Sequence, residues 1–595
     1  MQSTAVSKRG PNVAHNRAPT AQTLALAIRI ACGGLAYSAA MALPALWSMP
    51  ASAQSATETQ ASVAFSIPAG SLSDTLNRFA EQTGLYLSGA GELTRGKNSA
   101  GLQGNFTSEK GLRRLLQGTG IIYRFTGANT VSLMSASESG GVMTLPAVMV
   151  SAEGERSGSA AGITEWSGSY KASQTNTATK LNLSPRETPQ TVTVVTRQQM
   201  DDSAMTSVDD ALRATSGVFV HDRGQNGNNY YSRGFELQHQ YDGMPNPVGI
   251  SSWNQNPQID NAFLDRVEVL QGASGLMSGA GDPGGTVNLV RKRPTHEFQA
   301  QAEAQLGSWK QRRLVGDISG PLIESGHVRG RLVLLMDEQD SFVDHVFRDR
   351  QAVYGIVEAD ITPNTLVYAS LQYQEDKSRN HFGVPFAADG SQAGLSRSAF
   401  FGNANNLTTR DYSLYTLGLE QQLPADWMMK LQYSGSKTNY AINNYSFIRG
   451  DLDPSTGDGM DIRQQSRVSG DIPYDALDAY ISGPVSLLGR SHELVFGANG
   501  STMTRNYAGS GYMAALQPIN VYTFDPTALP TAVGANPYTG GYEITQRGVY
   551  GVGRFSLTDS LKLIAGTRIS SYEDKDVDTG TTTVKESGVV SPYAG

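Results

Sequence analysis

The stretch "RVEVLQGASGLMSGAGDPGGTVNLVRKRPT", residues 266–295, decides how the rest of the chain is read. Its residues 279–284, "GAGDPG", match the dinucleotide fingerprint G-x-G-x-x-G letter for letter. That fingerprint works only when a strand enters the glycine turn and a helix leaves it, with the helix N-terminus facing the pyrophosphate. Here a second glycine-rich stretch precedes the motif and Pro283 lies inside it. After Gly285 comes "TVNLVRKRP", β-branched and alternating, which reads as a strand stopped by Pro294. A nicotinamide-dependent oxidoreductase is therefore set aside, and the glycines require a structural explanation.

The bulk composition points the same way. In 595 residues there are 64 glycines, 25 tyrosines and one cysteine, and only 17% of residues are charged. Mean hydropathy is −0.31. This mixture is rich in turn and strand formers and poor in helix formers. At the N-terminus Lys8, Arg9 and Arg17 precede an apolar run from Ile30 to Trp47, and "ASA" at 51–53 offers small residues before Gln54. The run reads as an export signal over residues 1–53 rather than as an anchor, because Gly33, Gly34 and Pro44 interrupt it. Cleavage there removes Cys32, four positive charges and no acidic residue, taking the net charge from −7 to −11. An acidic exported chain without cysteine is a poor nucleic-acid binder and holds no thiolate metal site. No later segment has the roughly 18 consecutive apolar residues of a spanning helix, so any membrane entry must be by β-barrel.

From residue 62 to 134 the chain repeats itself. "LSDTLNRFAEQTGLYL" (72–87) is echoed by "EKGLRRLLQGTGIIY" (109–123). Leu72, Leu76, Phe79 and Ala80 share one helix face, as do Leu112, Leu115 and Leu116, and Ser108 is a candidate cap for the second helix. Each helix runs through Thr-Gly into a short apolar strand, which makes a compact α/β domain of spacer or docking type. "FSIPAGSLSDTLNRFAEQTGLYLS" (65–88) resembles the periplasmic signalling domain, the secretin and TonB short N-terminal domain. Residues 135–180 form a polar linker that begins beside "TLPAVMVSA" (144–152). Leu145, Pro146, Ala147, Val148, Met149 and Val150 resemble a TonB box, the segment that TonB captures by strand addition.

Residues 181–295 carry a denser signature: "LSPRETPQTVTVVTRQQMDD", "DALRATSGVFV", "YYSRGFELQHQYDGMP" and then the opening stretch. In this order they resemble the plug domain of TonB-dependent ferric siderophore receptors of the transducer type. The resemblance makes the glycines turns in a small mixed sheet, where positive φ and close backbone approach carry no Cβ penalty. It implies that Arg233, Glu268 and Arg291 to Arg293 are charged plug residues facing a barrel wall. It also implies ligand contacts at Arg223, Tyr230, Tyr231, Arg233, Tyr241 and Trp253, where an aromatic and arginine lining would suit an anionic, partly aromatic chelate.

From residue 298 to 595 the period becomes two. Trp427, Met429, Leu431 and Tyr433 oppose Lys430, Gln432 and Ser434; Val367, Ala369, Leu371 and Tyr373 form another apolar row; Leu561, Leu563, Ala565 and Ile569 a third. Short turns ("ITPNT", "LPADW", "LTDSL") alternate with long polar stretches near 375–410, 438–468 and 500–544. That contrast favours an outer-membrane barrel over a soluble sandwich. The expected fold is mainly β: a plugged antiparallel barrel with an α/β plug and a small N-terminal α/β domain. About twelve strands are countable, against 22 in plugged transporters. The last residues, "SGVVSPYAG" (587–595), lack the terminal aromatic of the family, so the expectation is a C-terminally truncated receptor.

Taken with the resemblance, the expected function is uptake of a ferric siderophore across the cell outer membrane, energised by TonB. The N-terminal domain would report occupancy to an inner-membrane anti-sigma regulator. Outer-membrane lipid is the remaining partner; no enzyme activity, intrinsic cofactor, metal site or nucleic-acid partner is expected. Another cargo, such as cobalamin or haem, and a non-functional truncated fragment are the alternatives, and a secretin-type export channel is disfavoured by the plug motifs.

Overall fold

A computed structural model describes residues 63–83, 85–88, 93–106, 108–116, 119, 121–127, 130–135, 162–221, 228–246, 258–379, 381–511, 517–531 and 535–595. The signal segment and Leu145–Val150 lie outside the described residues. The chain divides into two compact units, Ala42–Gly154 and Glu155–Gly595.

In the first unit the two echoed segments form helices Leu72–Thr83 and Ser108–Leu116. Ser108 is the first helical residue rather than a residue before the helix. The helices pack through Gly111, where an added Cβ would come within 2.8 Å of the Phe79 ring. Phe79 in turn stacks on Phe65 at 5.1 Å. Leu72, Leu76, Phe79, Leu112, Leu115 and Leu116 all join one buried core with Phe65, Ile67 and Leu102, as their spacing requires. Strand Val63–Ile67 pairs antiparallel with Leu102–Phe106, and Thr130–Ser135 lies between Tyr86–Ser88 and Ile121–Gly127.

The second unit contains a five-stranded mixed sheet in the order Met244–Asn246, Gln238–Tyr241, Gly285–Arg291, Leu264–Gln271, Thr191–Thr196. Here the opening motif is resolved. Leu264–Gln271 and Gly285–Arg291 are antiparallel neighbours, joined through the one-turn helix Gly275–Ser278 and the glycine loop. A strand follows the glycines, so the βαβ unit a dinucleotide needs is not built. Gly285 adopts φ 124°, and a Cβ on it would fall 2.0 Å from the Leu270 carbonyl oxygen; no other residue fits.

Around this sheet runs a thirteen-stranded antiparallel sheet. Twelve strands follow one another as a meander from Gln299–Leu306 to Thr582–Ala594, and the short Gln517–Ile519 adds to the end of Met460–Leu487. Those first and last strands are the two edges of the sheet and are not paired with each other among the described residues. The turns at 363–364, 423–427, 488–489 and 557–561 gather at one end; 381–406 and 517–531 lie at the other. Residues 438–468, expected as a long loop, are instead mostly strand: Met428–Gly450 and Met460–Leu487 run 23 and 28 residues, joined by 451–459. Crossing a bilayer takes only roughly 9–11 residues per strand. Beyond that band both faces meet water, so the outward side becomes polar (Lys437, Asn439, Arg467, Asp471) and the apolar alternation that marks a strand is lost.

Inside the band the expected rows are outward. Leu371, Leu417, Leu431, Leu477, Phe496, Val549, Leu563 and Ile569 are exposed on adjoining strands, a continuous apolar belt too large for a soluble surface. Six of the tyrosines and six of the glycines are explained together. In register, Tyr368 faces Gly418, Tyr415 faces Gly435, Tyr440 faces Gly470, Tyr507 faces Gly540, Tyr538 faces Gly509 and Tyr550 faces Gly497. Each ring lies where the glycine Cβ would be; at Gly497 the clash with Tyr550 would be 2.4 Å. Aromatic cover of a cross-strand glycine pins register.

Gly497→Val should therefore lower stability by about 1–3 kcal/mol through overpacking, whereas Gly316→Val, with nothing within 4 Å of its Cβ position, should be tolerated. Urea unfolding in detergent reads the difference, and adding Tyr550→Ala to Gly497→Val should recover part of the loss.

Candidate ligand-binding site

Of the six plug residues with an expected ligand role, Arg223 and Trp253 lie outside the described residues. Strand Asn229–Ser232 separates two others by its alternation. Tyr230 points inward: its hydroxyl donates to Asp209 Oδ1 at 2.6 Å, and its ring lies 5.3 Å from that of His239. The Asn228 amide donates to the other Asp209 oxygen at 2.9 Å. Burial raises the Asp209 carboxyl above its usual range against these hydrogen bonds, and burial pushes the His239 imidazole down to about 4, so this nest is uncharged on histidine. Tyr231 points the other way, 6.5 Å from Phe219 and 6.3 Å from His221, on the exposed side of a small three-stranded sheet. Arg233 is exposed in a left-handed turn at φ 54°, ahead of Gly234. Tyr241 is buried with its ring 6.3 Å from Tyr412 of the wall. These four residues do not converge.

A convergent lining comes instead from the wall. On the side of the long connections, inward-facing Tyr440, Tyr474, Tyr542 and Tyr572 gather around Met244 of the plug with Ile472, Met503 and Ile544. Arg505 stands between the hydroxyls of Tyr440 and Tyr542, and Tyr507 packs on Tyr538 at 6.4 Å. The Tyr474 hydroxyl donates to the Pro245 carbonyl, joining wall to plug. At the same end the long connections are fastened together. Asn403 donates to Gln464 at 3.0 Å and to the Pro530 carbonyl at 3.1 Å, while its own N–H reaches Ser446. Phe401, Leu452, Met460 and Val521 bury one another beneath. This largely buried cluster brings together flat aromatic faces, hydroxyls and one guanidinium, the groups that suit contact with an anionic, partly aromatic molecule without chemistry on it. Among the described residues no group of three or more His, Cys, Asp or Glu side chains is placed to hold a metal ion. The parity of Trp427, Met429, Leu431 and Tyr433 already assigns Tyr440 to the inner face; reading 438–468 as loop concealed it.

Elsewhere, charge holds the plug to the wall. Arg331 grips Glu165 with both ends of its fork (2.6 and 2.7 Å) and also reaches Asp317 at 2.6 Å. Lys292 joins them, 3.0 Å from Asp317 and 3.5 Å from Glu165. Arg293 pairs with Glu358, lies 3.9 Å from Glu420 and stacks 4.5 Å from the Tyr368 centroid. Arg291 binds Asp242 within the plug and donates to Thr416 of the wall at 2.8 Å. Arg291 to Arg293 thus do face the wall. Glu268 does not. It sits on the inner strand Leu264–Gln271 of the plug sheet, 2.7 Å from Arg266 and accepting from Thr175 and Thr177, because residues 164–183 fold over that strand and separate it from the wall. Burial opposes ionisation of Glu268, and Arg266 with the hydroxyls more than offsets it, holding the carboxyl below its usual range.

Three family models match the chain: TonB-dependent Receptor Plug Domain over residues 184–286, TonB dependent receptor-like, beta-barrel over 353–595, and Secretin and TonB N terminus short domain over 89–136. The chain is 36% identical over 568 residues to the ferric-pyoverdine BN7/BN8 receptor of Pseudomonas putida, covering 92% of this chain and 68% of that one. It is 36% identical over 560 residues to the ferripyoverdine receptor of Pseudomonas aeruginosa, covering 90% and 65%. The crystal structure of the ferripyoverdine receptor of the Pseudomonas aeruginosa outer membrane bound to ferripyoverdine superposes with a TM-score of 0.68 at 33% identity, over 90% of this chain and 68% of that one. The chain spans about two thirds of the length of these relatives.

Removing Arg293 leaves Glu358 with Arg329 and Glu420 with Lys430, so the cost falls below the roughly 3–5 kcal/mol of a fully orphaned buried charge. Arg293→Gln should therefore loosen the plug locally, with hydrogen exchange rising across Gly285–Arg291 while the amides of Met428–Gly450 stay protected.

Proposed function

The chain belongs to the TonB-dependent outer-membrane receptors, and we propose that it takes up a ferric siderophore of the ferripyoverdine class and reports its occupancy. The observation that carries this reading is the cluster of Arg505 with Tyr440, Tyr542 and Tyr572 beside the plug, in a chain whose relatives include ferripyoverdine receptors at 36% identity. A chelate with an aromatic chromophore and anionic groups meets stacking faces and a guanidinium there. Iron stays with the siderophore, so recognition needs no protein ligand to the metal. Tyr231 and Arg233, exposed on the plug, are further candidate contacts, as are Arg223 and Trp253 outside the described residues; Tyr230 and Tyr241 are buried supports of the plug.

Transport in this reading depends on TonB drawing on Leu145–Val150 and so loosening the plug. The N-terminal unit, with its own core, transmits the occupied state to an anti-sigma regulator. The two activities are carried by separate parts of the chain and should be separable.

Binding of ferripyoverdine to the purified protein, followed by fluorescence, tests the first claim. Arg505→Gln should weaken it by about tenfold or more, the worth of a charge-assisted hydrogen bond. Failure of ferripyoverdine to bind while labelled haem or cobalamin does would replace the cargo. In cells, deletion of residues 62–134 should abolish siderophore-dependent induction and leave labelled-iron uptake intact. Loss of both together would contradict two separable functions.

A further inference from the structure

The arginines of the lumen differ in how they are paired. Arg291, Arg293, Arg313, Arg331 and Arg350 each meet a carboxylate. Arg568, on the inner face of strand Lys562–Asp576, is 1% exposed and meets none among the described residues. Its Nη2 donates to Asn499 Oδ1 at 2.7 Å, while Nε and Nη1 have no hydrogen-bond partner. The carboxylate that influences it across the sheet, Asp478, is already engaged by Lys180 at 3.0 Å and by the Tyr550 hydroxyl at 2.9 Å.

Arg568 lines a small cleft of about 40 Å³ between plug and wall, together with Gln238, Gln546, Asn499, Ser501 and Asp282. The glycine loop of the opening motif forms its plug side. A Cβ on Gly279 would lie 3.2 Å from Arg568 Nη2, and one on Gly281 would lie 1.4 Å from Gln238 Nε2. The Ala280 carbonyl between them accepts from Gln238 at 3.3 Å and from Gln546 at 3.5 Å. The glycines thus let backbone lie flat against the amides and the guanidinium that face this cleft. Asp282 of the same loop lines the cleft without forming an ion pair to Arg568.

A buried guanidinium with two free N–H edges calls for a counter-charge, and its planar fork matches a planar or tetrahedral oxyanion. We infer that this cleft is an oxyanion site, in which Arg568 takes a carboxylate or phosphate group beside the Ser501 hydroxyl. The anion comes either from solution or, if the proposed transport holds, from an acidic arm of the ferric chelate as it passes the plug.

Calorimetric titration of the full-length chain in detergent with inorganic phosphate tests the site. Wild type should bind saturably, and Arg568→Gln should bind about tenfold or more weakly. Arg568→Lys, which keeps the charge and controls for folding, should retain part of the affinity. Asp282→Asn should leave binding unchanged or tighten it by removing a like charge. Absence of saturable phosphate binding to wild type would overturn the site, as would an Arg568→Gln chain that binds as well as wild type. Phosphate binding that appears only in Asp282→Asn would show Asp282 to be the native partner and equally overturn it. Uptake of a carboxylate-bearing ferric chelate and of its amidated form then separates the sources. A rate loss in Arg568→Gln confined to the acidic form marks a cargo waypoint, and unchanged uptake of both with phosphate binding lost marks a free-ion site. A wild-type chain that binds phosphate but no ferric chelate would count against the transport reading and leave the oxyanion site standing.

Discussion

Charge inside a lumen must be matched locally, and that constraint organises the second unit. Arg331, Lys292 and Arg293 are too deeply placed to be neutralised by water, so each position of the plug within the wall is fixed by the carboxylate that answers it: Glu165, Asp317, Glu358, Glu420. Replacing such pairs with apolar contacts could make a tighter plug, since desolvation of ions costs as much as their attraction returns. Ion pairs have a different merit. They are directional, and once one member moves the other can be rehydrated, so a plug held this way has defined alternatives. An apolar plug would offer no such intermediate arrangement.

The same constraint explains how much of this protein is legible in its residues. The outward rows at Trp427–Tyr433 and Val367–Tyr373 are readable because a bilayer imposes one chemistry on every second side chain. The front domain is readable because its helix face at Leu72, Leu76 and Phe79 repeats 36 residues later. What escapes reading are the pairings. Glu268 looks like a wall contact until residues 164–183 are seen to lie between. Tyr440 is assigned by parity to the inner face but belongs to a stretch whose outer face has turned polar, so the strand itself goes unrecognised. Gly497 and Tyr550 are 53 positions apart, and only the register shows that one exists for the other.

The tyrosine cluster illustrates the difference between a motif and a convergence of side chains. The plug carries the recognisable sequence, because its turns and buried charges restrict which residues fit. The wall carries tyrosines whose spacing along the chain follows no motif, since they converge from Met428–Gly450, Met460–Leu487, Ala535–Ser556 and Lys562–Asp576. Such a wall can exchange one aromatic or arginine for another without disturbing the hydrogen-bond ladder that holds it. Specificity can therefore vary while the scaffold stays constant.

Residues 162–190 are attached to the rest of the unit at successive points along the chain: Thr164 to Asp265, Glu165 to Arg331, Thr175 and Thr177 to Glu268, Lys180 to Asp478, Glu187 to Arg554. A load entering from the N-terminal side meets these attachments one after another. That is the geometry of peeling, where force is concentrated on a single fastening at a time, and not of shear, where all resist together. A strip fastened in this way can be very stable against thermal fluctuation and still yield to a modest directed pull.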